Sequence, residues 1–191
     1  MTENGFEYVD LGLPSKTMWA TCNVGADKPE DYGLLFQFGR VDGYKYGDKN
    51  NKFVEDDLTT TSGKVYKETD VLDLDDDAAH VNMGGVWRMP TICQLKELYN
   101  NTTYKVEIIN GVKGMLFISN INSKRLFVPF AGYWYNGSFA AVGSSARVWS
   151  SQVHAYNAHY AYRLSCYSSD DAYILSNSRP NAFSVRGVFI K

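Results

Sequence analysis

Three histidines, three cysteines and a run of aspartates are the side chains of this 191-residue sequence with the most chemistry to offer. His80 stands alone, while His154 and His159 lie five positions apart with Asp170 and Asp171 downstream. A metal centre needs two or three ligands on one rigid face, and this spacing provides none, so loop histidines on a binding surface are the better reading. Asp73, Asp75, Asp76 and Asp77 could attract Ca²⁺, but they lack the glycine and terminal glutamate of an EF-hand loop and read instead as a solvated helix start. A nucleophilic cysteine needs a paired base and an electropositive setting. Cys93 falls on a predicted helix with no histidine partner, and Cys166 in a strand of alternating apolar and polar residues. No glycine-rich phosphate loop, serine elbow or zinc pattern is present. The expectation is a chain with no catalytic constellation, no metal and no cofactor. Cys22, Cys93 and Cys166 are too few and odd in number for a disulfide scaffold, so folding is expected to need no bridge.

The elements that must position any site follow from pattern. Thr91 with Gln94 three residues on is a capping box, and Leu95, Leu98 and Tyr99 form one apolar helical face, so a helix is predicted from Thr91 to Asn101. A second, shorter helix is predicted over Asp75–Met83. Strands are predicted at Tyr8–Leu11, Met18–Asn23 and Leu34–Arg40. Asn110-Gly111 between Val106–Ile109 and Val112–Ser119 is a type I′ hairpin signal. Further strands are predicted at Leu126–Phe130, Arg147–Ser150, Tyr160–Tyr167 and Phe183–Ile190. Residues 42–70 are polar and glycine-bearing and read as a long insertion loop, with room for a hairpin. Trp87 and Trp149 are expected to be core anchors. The whole reads as one α+β domain over 1–191, with two helices in its N-terminal half and a β-rich C-terminal half.

Composition excludes several function classes. Nineteen Lys and Arg against 21 Asp and Glu give a formal charge of −2, without the basic excess of a nucleic-acid binder. No apolar run approaches the ~20 residues of a membrane helix. The opening Met1-Thr2-Glu3-Asn4-Gly5 has neither a basic nor an apolar leader segment, so no signal peptide is visible. The composition is also uneven. Positions 126–190 contain no Lys, Glu or Met, where about nine Lys and Glu would match the density of the first 125 residues. Residues 144–182 hold nine Ser, six Ala, five Tyr, three Asn and three Arg. Tyr, Ser and Asn dominate antibody binding loops, because Tyr gives rigid amphipathic area and Ser and Asn give adaptable hydrogen bonds.

Several motifs in order carry a family likeness. Tyr8-Val9-Asp10-Leu11-Gly12-Leu13-Pro14-Ser15 and Trp19-Ala20-Thr21-Cys22-Asn23-Val24-Gly25-Ala26 are followed by Asp76-Asp77-Ala78-Ala79 and Gly84-Gly85-Val86-Trp87-Arg88-Met89-Pro90-Thr91. Val128-Pro129-Phe130-Ala131-Gly132-Tyr133, Trp149-Ser150-Ser151, Arg179 and Phe183-Ser184-Val185-Arg186 complete the set. Together they resemble the "major paralogous domain" proteins of gut Bacteroidales and their phages, whose fold is the formylglycine-generating-enzyme-like branch of the C-type lectin fold. Some of those domains are the variable proteins of diversity-generating retroelements, in which template adenines, mostly in Asn codons, are randomised. Such codons never become Lys, Glu, Gln, Met or Trp. The resemblance therefore implies a variable region over 144–187, with Trp134, Trp149 and Gln152 as unvaried scaffold. The chain departs from the family at Arg147-Val148, at Pro180-Asn181-Ala182 and at Gly187. No second cysteine follows Cys166, which argues against formylglycine-generating chemistry.

The resemblance implies a non-enzymatic binding protein, with a phage receptor-binding tail protein as the first setting and a bacterial surface adhesin or calcium-independent lectin as the alternative. The expected location is accordingly a phage virion or a bacterial cell surface. The expected partner is a surface protein or glycan of a target cell, with no nucleic acid and no membrane insertion, and a homo-oligomer (a trimer at a tail tip) is allowed. The expected binding residues are Arg147, His154, Tyr156, Asn157, His159, Tyr160, Arg163, Ser165, Tyr167, Asp171, Tyr173, Pro180 and Asn181. In the Tyr160–Tyr167 strand, alternation puts Tyr162, Leu164 and Cys166 on one face and Arg163, Ser165 and Tyr167 on the other, which is taken as the solvent and ligand face.

Overall fold

The computed structural model describes residues 1–191. In chain order the strands are β1 (Thr2–Glu3), β2 (Phe6–Asp10), β3 (Thr17–Asn23) and β4 (Leu35–Gln37). A 3₁₀ turn (Leu74–Asp76) and the helices α1 (Ala78–Met83) and α2 (Ile92–Asn100) follow. Then come β5 (Thr102–Ile109), β6 (Val112–Ser119), β7 (Arg125–Pro129), β8 (Tyr133–Tyr135) and β9 (Ser138–Ala140). The last five are β10 (Ser145–Val153), β11 (Tyr160–Tyr167), β12 (Ala172–Ser178), β13 (Ala182–Ser184) and β14 (Arg186–Ile190). The class is α+β and strongly β-rich. No helix is long and apolar enough to cross a membrane.

The strands form three sheets. One has the order β1-β2-β3-β14 and one is the β5-β6-β7 meander. The largest runs β12-β11-β10-β13-β8-β9, with β4 paired to β13. Two apolar cores lie between them. Trp87, Trp149, Phe36, Phe38 and Phe183 belong to the first, and Trp19, Leu95, Leu98, Val148, Leu164 and Cys166 to the second. Trp87 and Trp149 are fully buried, and Trp149 Nε1 donates to the Phe36 carbonyl at 2.9 Å.

Local signals explain the elements that position the large sheet. Thr91 caps α2 through both halves of a capping box, accepting from Gln94 N at 3.3 Å while Thr91 N donates to Gln94 Oε1 at 2.8 Å. Leu95 and Leu98 then pack into the same core as β10 and β11. Asn110-Gly111 turns β5 into β6 with φ values of 49° and 85°, the doubly left-handed backbone of a type I′ turn.

Three expectations change. The predicted strand Phe183–Ile190 is two strands in different sheets, β13 and β14, because the chain crosses from one sheet to the other at Val185. Residues 42–70 contain neither strand nor helix, and a single bridge joins Tyr44 to Leu35. This segment is nonetheless tied down, with Tyr66 buried and Phe53 packed on Trp134 at 5.3 Å between ring centres. The acidic run is a helix start but only partly solvated, since Asp73 and Asp75 are exposed while Asp76 and Asp77 are buried. Asp76 accepts from Ser62 N at 2.7 Å, Ser62 Oγ at 2.6 Å and Tyr66 Oη at 2.8 Å, clamping the loop to the 3₁₀ turn. Burial pushes its carboxyl up, but the hydrogen bonds from Ser62 and Tyr66 outweigh it and leave Asp76 below the usual carboxylate range. Asp77 is the α1 N-cap, accepting from His80 N at 2.9 Å and from Met89 N.

Candidate binding face

Register decides which side chains share a face, because directly opposed residues in a sheet point the same way. Arg147 on β10 pairs with Ser165 on β11, which pairs with Tyr173 on β12. One step along, Trp149 pairs with Arg163 and Arg163 with Leu175. Ser145 pairs with Tyr167. The opposite face carries Ala146, Val148, Leu164, Cys166 and Ala172, all buried in the core that α2 covers. The predicted phase of the Tyr160–Tyr167 strand is thus the observed one.

The expectation of solvent exposure on the Arg163 face is overturned. Arg163 is 5% exposed and Ser165 fully buried. The face is covered by Phe183 of β13, Tyr133 of β8 and the Arg147 side chain. The guanidinium of Arg147 lies 3.4 Å from the Tyr133 ring centre and 5.3 Å from that of Phe183. Arg163 stands 5.5 Å from the same Phe183 ring. Two cations thus share one aromatic face.

Neither guanidinium has a carboxylate partner, and the ion pairs of the protein lie elsewhere, at Arg40–Asp57, Lys64–Asp73 and Lys105–Glu107. Arg147 Nε, Arg163 Nε and Nη1, Ser145 Oγ and Ser165 Oγ are all buried without a hydrogen-bond partner. Burial, and then the neighbouring Arg147 charge, pull Arg163 down to about 10, while the Tyr167 phenol beside it acts in the opposite direction. Burial lowers Arg147 as well, against the phenols of Tyr133, Tyr167 and Tyr135. Both remain cations at neutral pH.

Pro180 and Asn181, predicted as surface contacts, are also buried. Gln37 Nε2 donates to the Pro180 carbonyl, and Asn181 Nδ2 donates to Asn177 Oδ1 at 2.8 Å, so this turn is framework that delivers the chain into β13. Arg179 beside it is 2% exposed and donates to the Ala158 and Leu58 carbonyls at 3.0 and 3.2 Å.

The remaining predicted residues fall at two ends of the same three strands, separated by roughly 20 Å at about 3.3 Å per residue. The β10–β11 connection carries His154, Tyr156, Asn157, His159 and Tyr160. Tyr156 is 89% exposed, Asn157, His159 and Tyr160 are exposed, and His154 is half-buried against the Tyr162 ring at 4.9 Å. The other end carries Arg147, half-buried Tyr167, exposed Asp171 and exposed Tyr173, with the Tyr167 and Tyr173 rings 6.1 Å apart. Sequence reasoning missed Tyr133, Tyr135 and Ser145 at this second end. The β8–β9 hairpin that presents the two tyrosines was legible, since Asn136-Gly137 repeats the turn signal of Asn110-Gly111 and takes the same left-handed backbone, φ 48° and 76°.

Nothing in the arrangement couples a nucleophile to a base. Cys166 is fully buried and burial pushes its thiol far up; Cys22 is raised by the same cause, and Cys93 is exposed. No three His, Cys, Asp or Glu side chains are grouped to hold a metal ion. A cavity of about 490 Å³ lined by Thr21, Ile108, Leu116 and Phe127 contains none of the predicted residues. Comparison with family models, curated proteins and solved structures gave no match.

Proposed function

We propose that this chain is a non-enzymatic ligand-binding protein on a C-type lectin-like scaffold, with its binding face on β10–β12 and the loops at their two ends. The observation that carries the reading is the sorting of one Lys-, Glu- and Met-free segment into two classes of side chain. Trp149, Phe183, Leu164 and Val185 fill the cores, while Tyr156, Tyr160 and Tyr173 stand in solvent at 89%, 40% and 47% exposure. An exposed Tyr joins an apolar ring to a polar hydroxyl and so suits a surface that a partner covers, and Tyr and Arg are residue types that often anchor interfaces. The same segment matches the variable region implied by the likeness to retroelement-diversified proteins, which supports a receptor-binding role on a phage tail or, alternatively, on a bacterial surface as an adhesin or calcium-independent lectin. The ligand is then a surface protein or glycan of the target cell.

The test is binding of the purified chain to a panel of bacterial cells, with and without Tyr156→Ala. Loss of binding in a variant of unchanged stability is expected. A second test is genomic: a near-copy of codons 144–187 beside a reverse transcriptase gene should differ only opposite template adenines. Differences at Trp149, Gln152 or Phe183 would sink the diversification idea.

A further inference from the structure

We infer that the Arg147–Arg163 pair anchors the carboxylate of an acidic sugar residue, whose ring lies on the tyrosines at that end of the face. The inference rests on the binding-face reading above and narrows it to one end and one ligand class.

The first support is a shortage of negative charge. Two like charges are held over one ring, and the titratable groups that act on them are the phenols of Tyr133, Tyr135 and Tyr167, with no carboxylate among them. Elsewhere unpartnered buried atoms stand singly, at Trp19 Nε1, Arg179 Nε and Ser184 Oγ, whereas five gather on this face. Arg186, equally buried, donates to Asn23 Oδ1 and to three backbone carbonyls. A buried cation without a counter-charge is held at a cost in stability, which an incoming anion relieves. The second support is orientation. Stacking at 3.4 Å on Tyr133 fixes the Arg147 fork before any ligand arrives, so little entropy is lost on binding.

The surroundings favour a planar carboxylate over a phosphate. Arginine forks bind either anion, but the backbone N–H groups that many phosphate sites add at helix starts or nests are not offered here, because β10 and β11 are paired with each other in a ladder. They also favour a sugar over a protein side chain. Ser145 Oγ and Ser165 Oγ on the same face also lack partners. A single Asp or Glu brings only its carboxylate, while a uronic acid brings a carboxylate and hydroxyls together. Exposed Tyr135 and Tyr173 supply flat rings for the C–H faces of a pyranose. Arg147 is half-buried and directly opposite Ser165, so it is the member of the pair that a ligand meets first from solvent.

The experiment is a calorimetric and NMR titration of the intact chain at low salt with D-glucuronate, D-glucose, acetate and a short aspartyl peptide. Saturable glucuronate binding is expected, at least tenfold tighter than acetate or peptide, with no glucose binding. Arg147→Met and Arg163→Met should each weaken it at least tenfold, and Arg147→Lys should restore part of it by keeping the charge without the fork. If Arg163→Met does not fold, the half-exposed Arg147→Met carries the test. Equal binding of glucose and glucuronate, or glucuronate binding unchanged in Arg147→Met, overturns the inference. Peptide binding tighter than glucuronate overturns it in favour of a protein carboxylate. Absent glucuronate binding alongside Tyr156-dependent cell binding ends this inference and leaves the broader reading standing; glucuronate binding without Tyr156-dependent cell binding supports this inference and confines the binding face to the Arg147 end, and absence of both ends both readings.

Discussion

Arg186 and Arg163 are the same residue type in one chain, both buried, in opposite surroundings. Arg186 sits at the start of β14, where Nε and Nη2 donate to Asn23 Oδ1 at 3.0 and 2.7 Å. Its Nη1 reaches the Ala20 and Thr21 carbonyls at 3.1 and 2.7 Å, and Nη2 reaches the Phe127 carbonyl at 3.1 Å. It binds the β1-β2-β3-β14 sheet to the β5-β6-β7 sheet through neutral acceptors. Arg163 has aromatic rings and another arginine around it, its Nε and Nη1 have no acceptor, and the Tyr167 phenol is its polar neighbour. Burial depth therefore does not by itself make an arginine part of the framework. What separates the two is whether the protein supplies the acceptors itself.

The largest effect that sharpens this contrast is expected at Arg186. Arg186→Met removes five hydrogen bonds and strips four carbonyl and amide acceptors of their donor at once, and chemical denaturation should show a loss of about 3–5 kcal/mol. A loss under 1 kcal/mol would erase the distinction. Asp76 is the acidic counterpart of Arg186, a buried charge answered on all sides, and Asp76→Ala should cost about 1–3 kcal/mol by orphaning Ser62 and Tyr66. Its carboxyl is depressed in the folded chain, so its stabilisation is present above the unfolded value of about 3.9 and is lost as pH falls through the folded value. Denaturation followed from pH 6 to pH 2 should show a shallower acid decline in Asp76→Asn than in the parent.

Arg163→Met should move the other way. Replacing an unpaired buried cation by an apolar chain of similar length is expected to raise stability by about 1 kcal/mol while abolishing anion binding. Destabilisation comparable to that of Arg186→Met would mean that Arg163 is framework too. The smallest effect is expected at Tyr156, whose alanine variant should stay within about 0.5 kcal/mol in stability. Its binding to a cognate cell should still weaken by about 1–3 kcal/mol.

The elements with strong local chemistry were legible in the sequence. The Thr91–Gln94 capping box, the Asn110-Gly111 turn and the alternation of Tyr160–Tyr167 each depend on neighbours a few residues apart, and each is found where pattern placed it. The strand β12 was not seen because Ala172–Ser178 is serine- and asparagine-rich and its apolar residues divide between core and solvent. The burial of Arg163 could not be read from alternation at all. A strand pattern names two faces but cannot say that Phe183, twenty positions on, and Tyr133, thirty positions back, cover one of them. The same limit hid the acidic clamp, since Asp76 meets Ser62 and Tyr66 only once the loop has folded back.

The crossing of the chain at Val185 has a kinetic consequence. The strand that follows closes a sheet against β3, and Arg186 meets Ala20 across 166 residues of sequence. Contacts at such separation are slow to form, because loop-closure entropy must be overcome before any contact rewards it. The two apolar cores share this late strand, with Val188 in one and Phe189 in the other. Refolding should therefore run on the millisecond-to-second scale of non-local β proteins, with β14 docking as a late event. Substitutions along β10–β12 that spare the cores should leave that rate nearly unchanged, because they touch neither the crossing at Val185 nor the strand that docks last.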